Sequence, residues 1–386
     1  MKLIQPRLNY KLSLKDLWTI FKSFFEKSKT EESGVNSVFN TAQVFFFDYA
    51  RSGLLIALGV LPRNSRVGIQ PFTCPTVLEA IENAGCIPVF IDINEHFVID
   101  SEIVKKNIDQ IDALILTHTF GFPADVVKIK SVLKDKLLIE DCAHAFLTKT
   151  NDNYAGTTGD FSIFSYGFAK FPSAMQGGFL IVNNLSYSDK IQREFESIKS
   201  LSCIQSSILL FKMLVLSFLN TRVIYNLVTI KLKDKKSSKF SYKKHLTDKS
   251  NIKKAIVFGK ALFESKLLSS NELLEKQKLN GSKIIDALNA NNNFKVLQDT
   301  KGMNFFMIPV LTDNPEHFIN YCRIEGIEVG RHFFQSKMII PHYNYIDSSC
   351  PNYEKYINQF VTISCHYNYP QKKILKLIEI IRKYKK

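Results

Sequence analysis

The sequence has no CxxC pair and no cysteine–histidine spacing of the kind that holds zinc. Its seven cysteines, Cys74, Cys86, Cys142, Cys203, Cys322, Cys350 and Cys365, are scattered and odd in number. A disulfide framework and a metal site are therefore not expected, and a reducing, cytoplasmic setting is. Charges interrupt the first 25 residues too often for a signal-peptide core. No uncharged apolar run reaches the ~20 residues needed to span a bilayer. No internal repeat is present. No nucleic-acid recognition motif occurs and the basic residues are dispersed, so a nucleic-acid partner is not expected. Acids are the scarcer charge, 36 against 51 lysines and arginines, giving a net +15. Such a field favours anionic partners, phosphorylated substrates among them.

What is present is an ordinary globular composition, 45% hydrophobic and 23% charged, in 386 residues. Residues 1–40 form an amphipathic lead-in with Leu17, Ile20, Phe21, Phe24 and Phe25 at helical spacing. Residues 41–250 read as a large domain. Within it VGIQPF (67–72), IPVFIDI (87–93), ALILTHTF (113–120) and KLLIEDC (136–142) read as buried strands. Helix-like segments at 76–85 and 124–135 alternate with them. This order implies an α/β fold with a mostly parallel sheet covered by helices. Ligands in such sheets sit beyond the carboxyl ends of the strands. Residues 251–386 read as linking helices followed by a smaller α+β domain. An apolar and basic insertion at about 203–245 admits three readings: a helical hairpin packed on the protein, an interfacial membrane contact, or a span.

The segment GDFSIFSYGFAKFPSAMQGGFLIVNN (159–184) carries the chemistry. An apolar run leads to Ser165, then Lys170, then the glycine pair Gly177 and Gly178. Upstream, LLIEDCAHAF (137–146) puts Asp141 at a strand end. A lysine, an acid and a set of hydroxyl and backbone donors are what pyridoxal 5'-phosphate (PLP) requires of a protein.

In these stretches the sequence resembles the DegT/DnrJ/EryC1/StrS family of PLP-dependent sugar aminotransferases, which have the fold-type-I PLP-transferase architecture. FSYGFAKFPSAMQGG (164–178) aligns without a gap to the family's lysine segment, IEDCAHA to its strand-end acid, and THTFGFPAD (117–125) to its V-H-x-Y-G-x-P-A-D. The resemblance implies that Lys170 is the Schiff-base lysine, that Asp141 pairs with the pyridine nitrogen and that His144 lies near the cofactor's 3-hydroxyl. It implies a phosphate site from Ser165 and from the turn YARSGLLIAL (49–58), with Arg51 and Ser52 as side-chain ligands. It also implies nucleotide-sugar and amino-acid substrates, glutamate as donor, and a homodimer.

The chain departs from the family pattern at specific points. Cys74 occupies the aromatic ring-stacking position, with Phe72 as a substitute. Gln176 replaces a glutamate. The G-Y-N-Y-R segment has no counterpart beyond Asn251. Two alternatives follow: another fold-type-I PLP enzyme, or a cofactor-binding or membrane-associated protein of a glycan pathway with altered catalysis. Related dehydratases replace the lysine with histidine, and Lys170 speaks against that branch. His118, Arg331 and His332 have both a structural and a substrate-facing reading.

Overall fold

The apolar runs become strands because their side chains are buried on both faces by helices. The computed structural model describes residues 3–7, 12–25, 33–41, 43–230, 251–296, 300–343, 345–346 and 349–385. The lysine-rich stretch 231–245 of the expected insertion lies outside them. The chain opens with α1 (Leu14–Ser23), started by a capping box in which Ser13 and Asp16 each satisfy the other's backbone N–H. α2 (Gly34–Phe39) leads into β1 (Val44–Phe47). Then come α3 (Ala50–Leu58), β2 (Arg66–Ile69), α4 (Pro75–Asn83), β3 (Ile87–Phe90), α5 (Ser101–Asn107), β4 (Ala113–Thr117), α6 (Val126–Leu133) and β5 (Leu137–Asp141). A short hairpin, β6 (Lys149–Thr150) and β7 (Asn153–Tyr154), precedes β8 (Phe161–Ser165) and β9 (Gly178–Val182).

Seven strands form one sheet in the order β1-β9-β8-β5-β4-β2-β3. β3, β2, β4, β5 and β8 are parallel; β9 and β1 close the edge antiparallel. Every residue of β4 and β5 is buried. Fully burying one such aliphatic side chain contributes roughly 1.5–3 kcal/mol. From β2 the chain moves outward to β3, then returns to β4 on the other side of β2 and runs on to β5. The direction of winding therefore reverses between β2 and β4, the kind of point at which open α/β sheets leave a crevice.

After the sheet, α7 (Ser188–Ser197) and α8 (Cys203–Leu219) follow. Helices Val257–Leu267 and Ser270–Asn289 lead to a second sheet. It is antiparallel, ordered β10 (Lys295–Val296), β11 (Ile308–Leu311) and β12 (Phe360–Ile363). A final basic helix runs Gln371–Lys383 and buries Ile374, Leu377, Ile380 and Ile381.

Two apolar segments behave differently from a packed amphipathic helix. In α1 only Ile20 of the expected stripe is buried; Leu17, Phe21, Phe24 and Phe25 are exposed. α8 buries Met213 but leaves Ile204, Ile208, Phe211, Leu216 and Phe218 exposed. No single helix among the described residues is long and apolar enough to cross a membrane. α8 and Arg222–Thr229 pass that test only together, across a 78° bend.

Candidate active site

The carboxyl ends of β4, β5 and β8 open onto a cavity of about 670 Å³. The starts of α3 (Tyr49, Ala50, Arg51) and α4 (from Cys74 onward) form its rim. Thr117, Asp141, His144, Ser165 and Lys170 form its floor, and residues 331–336 with Glu316 cover it.

Lys170 lies in the turn between β8 and β9. The preceding residue, Ala169, has a φ of 61°, a left-handed conformation that costs a non-glycine residue energy and persists only where its surroundings hold it. Here Lys170 N–H donates to Gly167 O (3.1 Å) and Ala174 N–H to Tyr166 O (2.8 Å). The glycine pair fixes the other side of the turn. A Cβ at Gly177 (φ 139°) would meet the Tyr166 ring at 2.2 Å. One at Gly178 would meet Ala50 N at 2.5 Å, so β9 can approach α3 only with glycine there. Burial pushes the Lys170 amine below its ordinary pKa, with Cys74 and Asp141 opposing. The Nζ lies 5.3 Å from the Phe306 ring centroid.

Asp141 ends β5 and is 5% exposed. Its Oδ1 accepts from Ala143 N–H at 3.0 Å. Burial raises its pKa, partly offset by that bond, by Lys170 and by His118. Beside it in register on β4 is Thr117, whose hydroxyl is buried with no hydrogen-bond partner among the described residues. The hydroxyl of Thr73, also on the cavity wall, is in the same condition. Buried orphan hydroxyls mark a place for a polar ligand.

His144 is sandwiched by rings: Phe306 at 4.3 Å and Phe333 at 5.4 Å, both near-parallel. Its Nδ1 accepts from Phe120 N–H (3.3 Å), which leaves Nε2 as the protonated nitrogen of the neutral ring. Burial pushes its pKa well below the usual range, with Lys170 and His332 adding to the effect.

At the opposite end, α3 starts at Tyr49 with no side-chain cap. Ala50 and Arg51 of its first turn line the cavity, and a helix start with its dipole favours an anion. The Arg51 guanidinium stacks 3.9 Å over the Tyr49 ring at that end. Ser165 lines the same cavity, its Oγ accepting a long bond from Gly167 N–H. Ser52 does not join them. Its side chain is buried and donates to Asp48 Oδ1 (2.7 Å), because the helical turn rotates it away from the cavity.

Other expectations resolve on the same geometry. Cys74 lines the cavity, its Sγ 3.2 Å from Thr76 Oγ1. Phe72 does not replace a stacking ring there. It is fully buried among Phe97, Tyr353 and Phe360, because the backbone turns over after β2 and sends it into the core. His118 is structural: Nδ1 accepts from Ala124 N–H and Nε2 bonds Glu140 (3.0 Å). Glu140 also accepts from the N–H groups of Gly156, Thr158 and Gly159. The cluster His118, Glu140 and Cys142 has the composition of a metal site, but its carboxylate and imidazole are fully engaged in these bonds. Arg331 and His332 line the cavity, Arg331 pairing with Glu316 (3.1 Å). Phe306 and Phe333 were invisible in the sequence, since nothing local ties them to His144. Thr117 carried a readable signal, as the polar residue closing an apolar run.

These residues fit PLP: a buried amine, a buried carboxylate, an uncapped helix start with an arginine, flat rings and unpartnered hydroxyls share one cavity. Comparison with known proteins bears on the same region. The chain is 33% identical over 140 residues to GDP-perosamine synthase of Escherichia coli O157:H7, covering 35% of this chain and 38% of that protein. The chain thus spans about two fifths of the length of that curated relative. Among solved structures, Helicobacter pylori PseC, an aminotransferase involved in the biosynthesis of pseudoaminic acid, superposes with a TM-score of 0.77 at 15% identity over 98% of both chains. An E. coli GDP-4-keto-6-deoxy-D-mannose-3-dehydratase with bound hydrated PLP gives 0.76 at 14% identity over 99% of this chain and 100% of that one. At those identities the likeness establishes the shared fold. The sequence profile described as the DegT/DnrJ/EryC1/StrS aminotransferase family matches residues 47–382, and the chain belongs to that family.

Proposed function

We propose that this protein is a PLP-dependent aminotransferase that moves an amino group from an amino acid, glutamate by preference, to a nucleotide-linked keto-sugar in glycan biosynthesis. The observation that carries this reading is the meeting of Lys170 and Asp141 in one cavity with the uncapped start of α3. Bound PLP supplies a carbonyl carbon that takes up an amino group and a ring that withdraws electrons. Lys170 would hold it covalently, Asp141 its ring nitrogen, His144 Nε2–H its ring oxygen, and Arg51, Ser165 and the α3 N–H groups its phosphate.

The chain's own residues then have distinct tasks. The Lys170 amine, its charged form disfavoured by burial, can take a proton from the donor's α-carbon and return it elsewhere. Asp141 gives a negative charge from a buried position on the floor of the cavity, where electrostatic partners act more strongly than in bulk water. The rings of Phe306 and Phe333 hold the His144 imidazole flat against the cavity. The cationic surface suits a nucleotide diphosphate.

The test is the visible absorbance of purified protein given PLP. A band lost in Lys170→Ala and bleached by glutamate is expected. A wild-type protein that forms no such band would overturn the reading. A band that ignores glutamate would favour another fold-type-I reaction or an altered, cofactor-binding role.

The reading includes a cytoplasmic homodimer in contact with anionic lipid at the membrane's inner face. For the lipid contact the supporting observation is α8 and its continuation to residue 230. They expose a row of apolar side chains, carry Lys212 and Arg222, and contain no aspartate or glutamate. Leu12 N–H bonds Ser217 Oγ (3.2 Å), joining the start of α1, with its exposed Trp18 and Phe21, to the same helix. Apolar bulk flanked by cations is the interfacial pattern.

A further inference from the structure

We propose that Arg7, which precedes the family-matched segment, is a positioning residue for the cavity wall formed by Phe306 and His332. The inference rests on the reading of this cavity as the site of amino transfer.

The segment carrying Arg7 is fixed along its backbone. Gln5 N–H donates to Gly326 O (2.9 Å) and Gln5 O accepts from Glu328 N–H (3.1 Å). Arg7 N–H donates to the Glu328 carboxylate (2.8 Å), Lys373 Nζ to Pro6 O (2.6 Å), and the Tyr369 hydroxyl to Arg7 O. With the backbone held this way, the guanidinium points inward. Nη2 donates to Thr362 Oγ1 at 2.6 Å and lies 3.4 Å from Met307 Sδ. Nη1 lies 2.8 Å from where a Cβ at Gly330 would sit, so the guanidinium packs directly against that turn.

Thr362 passes this on. A hydroxyl has one proton and two lone pairs. Here the proton goes to Gly330 O (2.9 Å), and the lone pairs accept from Arg7 and from His332 N–H (3.1 Å). All three valences are used, and Arg7 adds a third bond to the hydroxyl that ties the 330–332 turn to β12 beside the Thr362 N–H bond to Gly330 O (2.7 Å). The His332 ring lies 5.2 Å from His144. On the other branch, Met307 follows Phe306, which stacks on His144 and lies 5.3 Å from Lys170 Nζ. One half-buried cation therefore supports both ring walls around the reacting amine. It also adds to burial in holding His332 neutral. Without Arg7, Thr362 keeps its bonds to Gly330 and His332 but has an empty lone pair, and both walls lose one support and can drift. Misplacement of about 1 Å in such a site is enough to slow chemistry on the order of 100-fold.

The experiment uses the full chain loaded with PLP and follows bleaching of the visible band by L-glutamate. It compares wild type, Arg7→Ala, Arg7→Lys, Thr362→Val and the Arg7→Ala/Thr362→Val pair, with a thermal melt on each. The expected result is an intact band in all five and a maximal bleaching rate lowered on the order of 10- to 100-fold in Arg7→Ala. The half-saturating glutamate concentration stays near wild type, Arg7→Lys recovers part of the rate, and the double variant is no slower than the worse single one. Should Arg7→Ala not fold, Arg7→Lys, which keeps the charge but not the fork, and Thr362→Val carry the comparison. Arg7 variants that bleach at the wild-type rate, or that slow only in step with lost folded fraction, overturn the inference and leave the amino-transfer reading standing. A wild type that forms no band, or a band that glutamate leaves untouched, overturns the amino-transfer reading and this inference with it.

Discussion

Desolvation penalises the charged form of both Lys170 and Asp141, which pushes the lysine pKa down and the carboxyl pKa up. In the cofactor-free protein Asp141, with its pKa raised on folding, contributes stability below its unfolded pKa and loses it as pH rises through the folded one. Asp141→Asn is therefore expected to raise the melting temperature of the cofactor-free protein at pH 7. The same change should lower turnover by roughly 10²–10³-fold, the scale for removing one preorganised electrostatic partner. Scanning calorimetry and steady-state kinetics on one preparation check both halves; an unchanged turnover would remove Asp141 from the site. Lys170→Ala should abolish covalent cofactor attachment and cost at least the ~10²–10⁴-fold typical of a lost general acid–base group.

At the scale of elements, the site depends on how closely β9 approaches α3. Gly178→Ala puts a methyl 2.5 Å from Ala50 N, a backbone atom that cannot move without the helix. The expected cost is about 1–3 kcal/mol, typical of overpacking, together with weaker PLP binding as the phosphate end is displaced. Urea unfolding and cofactor titration measure the two, and wild-type affinity would show that α3 does not hold the phosphate. His144 follows β5 and His366 follows β12, both buried, and His332 lies in the half-buried turn after helix Pro315–Ile324. Burial holds all three below the ordinary range, His366 at about 3. A histidine neutral when folded contributes stability above its unfolded pKa, near 6.5, and that contribution is lost as pH falls below it. The melting temperature of the cofactor-free protein should drop between pH 7 and 5, and less steeply in His366→Asn; parallel slopes would exclude His366 from the effect.

For the whole molecule, the proposed membrane contact rests on the exposed apolar side chains of α8. The double change Ile208→Glu/Phe211→Glu is expected to abolish co-sedimentation with vesicles containing phosphatidylserine while leaving glutamate-driven bleaching in solution unchanged. Wild-type protein that ignores such vesicles, with a dimer that dissociates in the double variant, would instead identify the face as the subunit interface.

The residues alone were enough for four of the strands, the parallel α/β class and the motif around Lys170. These rest on local periodicity and on residues a few positions apart in the chain. Asp141 was legible because it closes a buried strand, where an α/β sheet must present its ligands, and Ser165 and His144 were legible through the family resemblance. Only the tertiary structure decided that Ser52 turns to Asp48, that Phe72 belongs to the core, and that Phe306, Phe333 and Arg7 bear on the site. The physical reason is range. A helix period or strand end constrains neighbours in sequence, whereas stacking rings and a guanidinium reaching from residue 7 to residue 362 exist only once the chain has closed on itself.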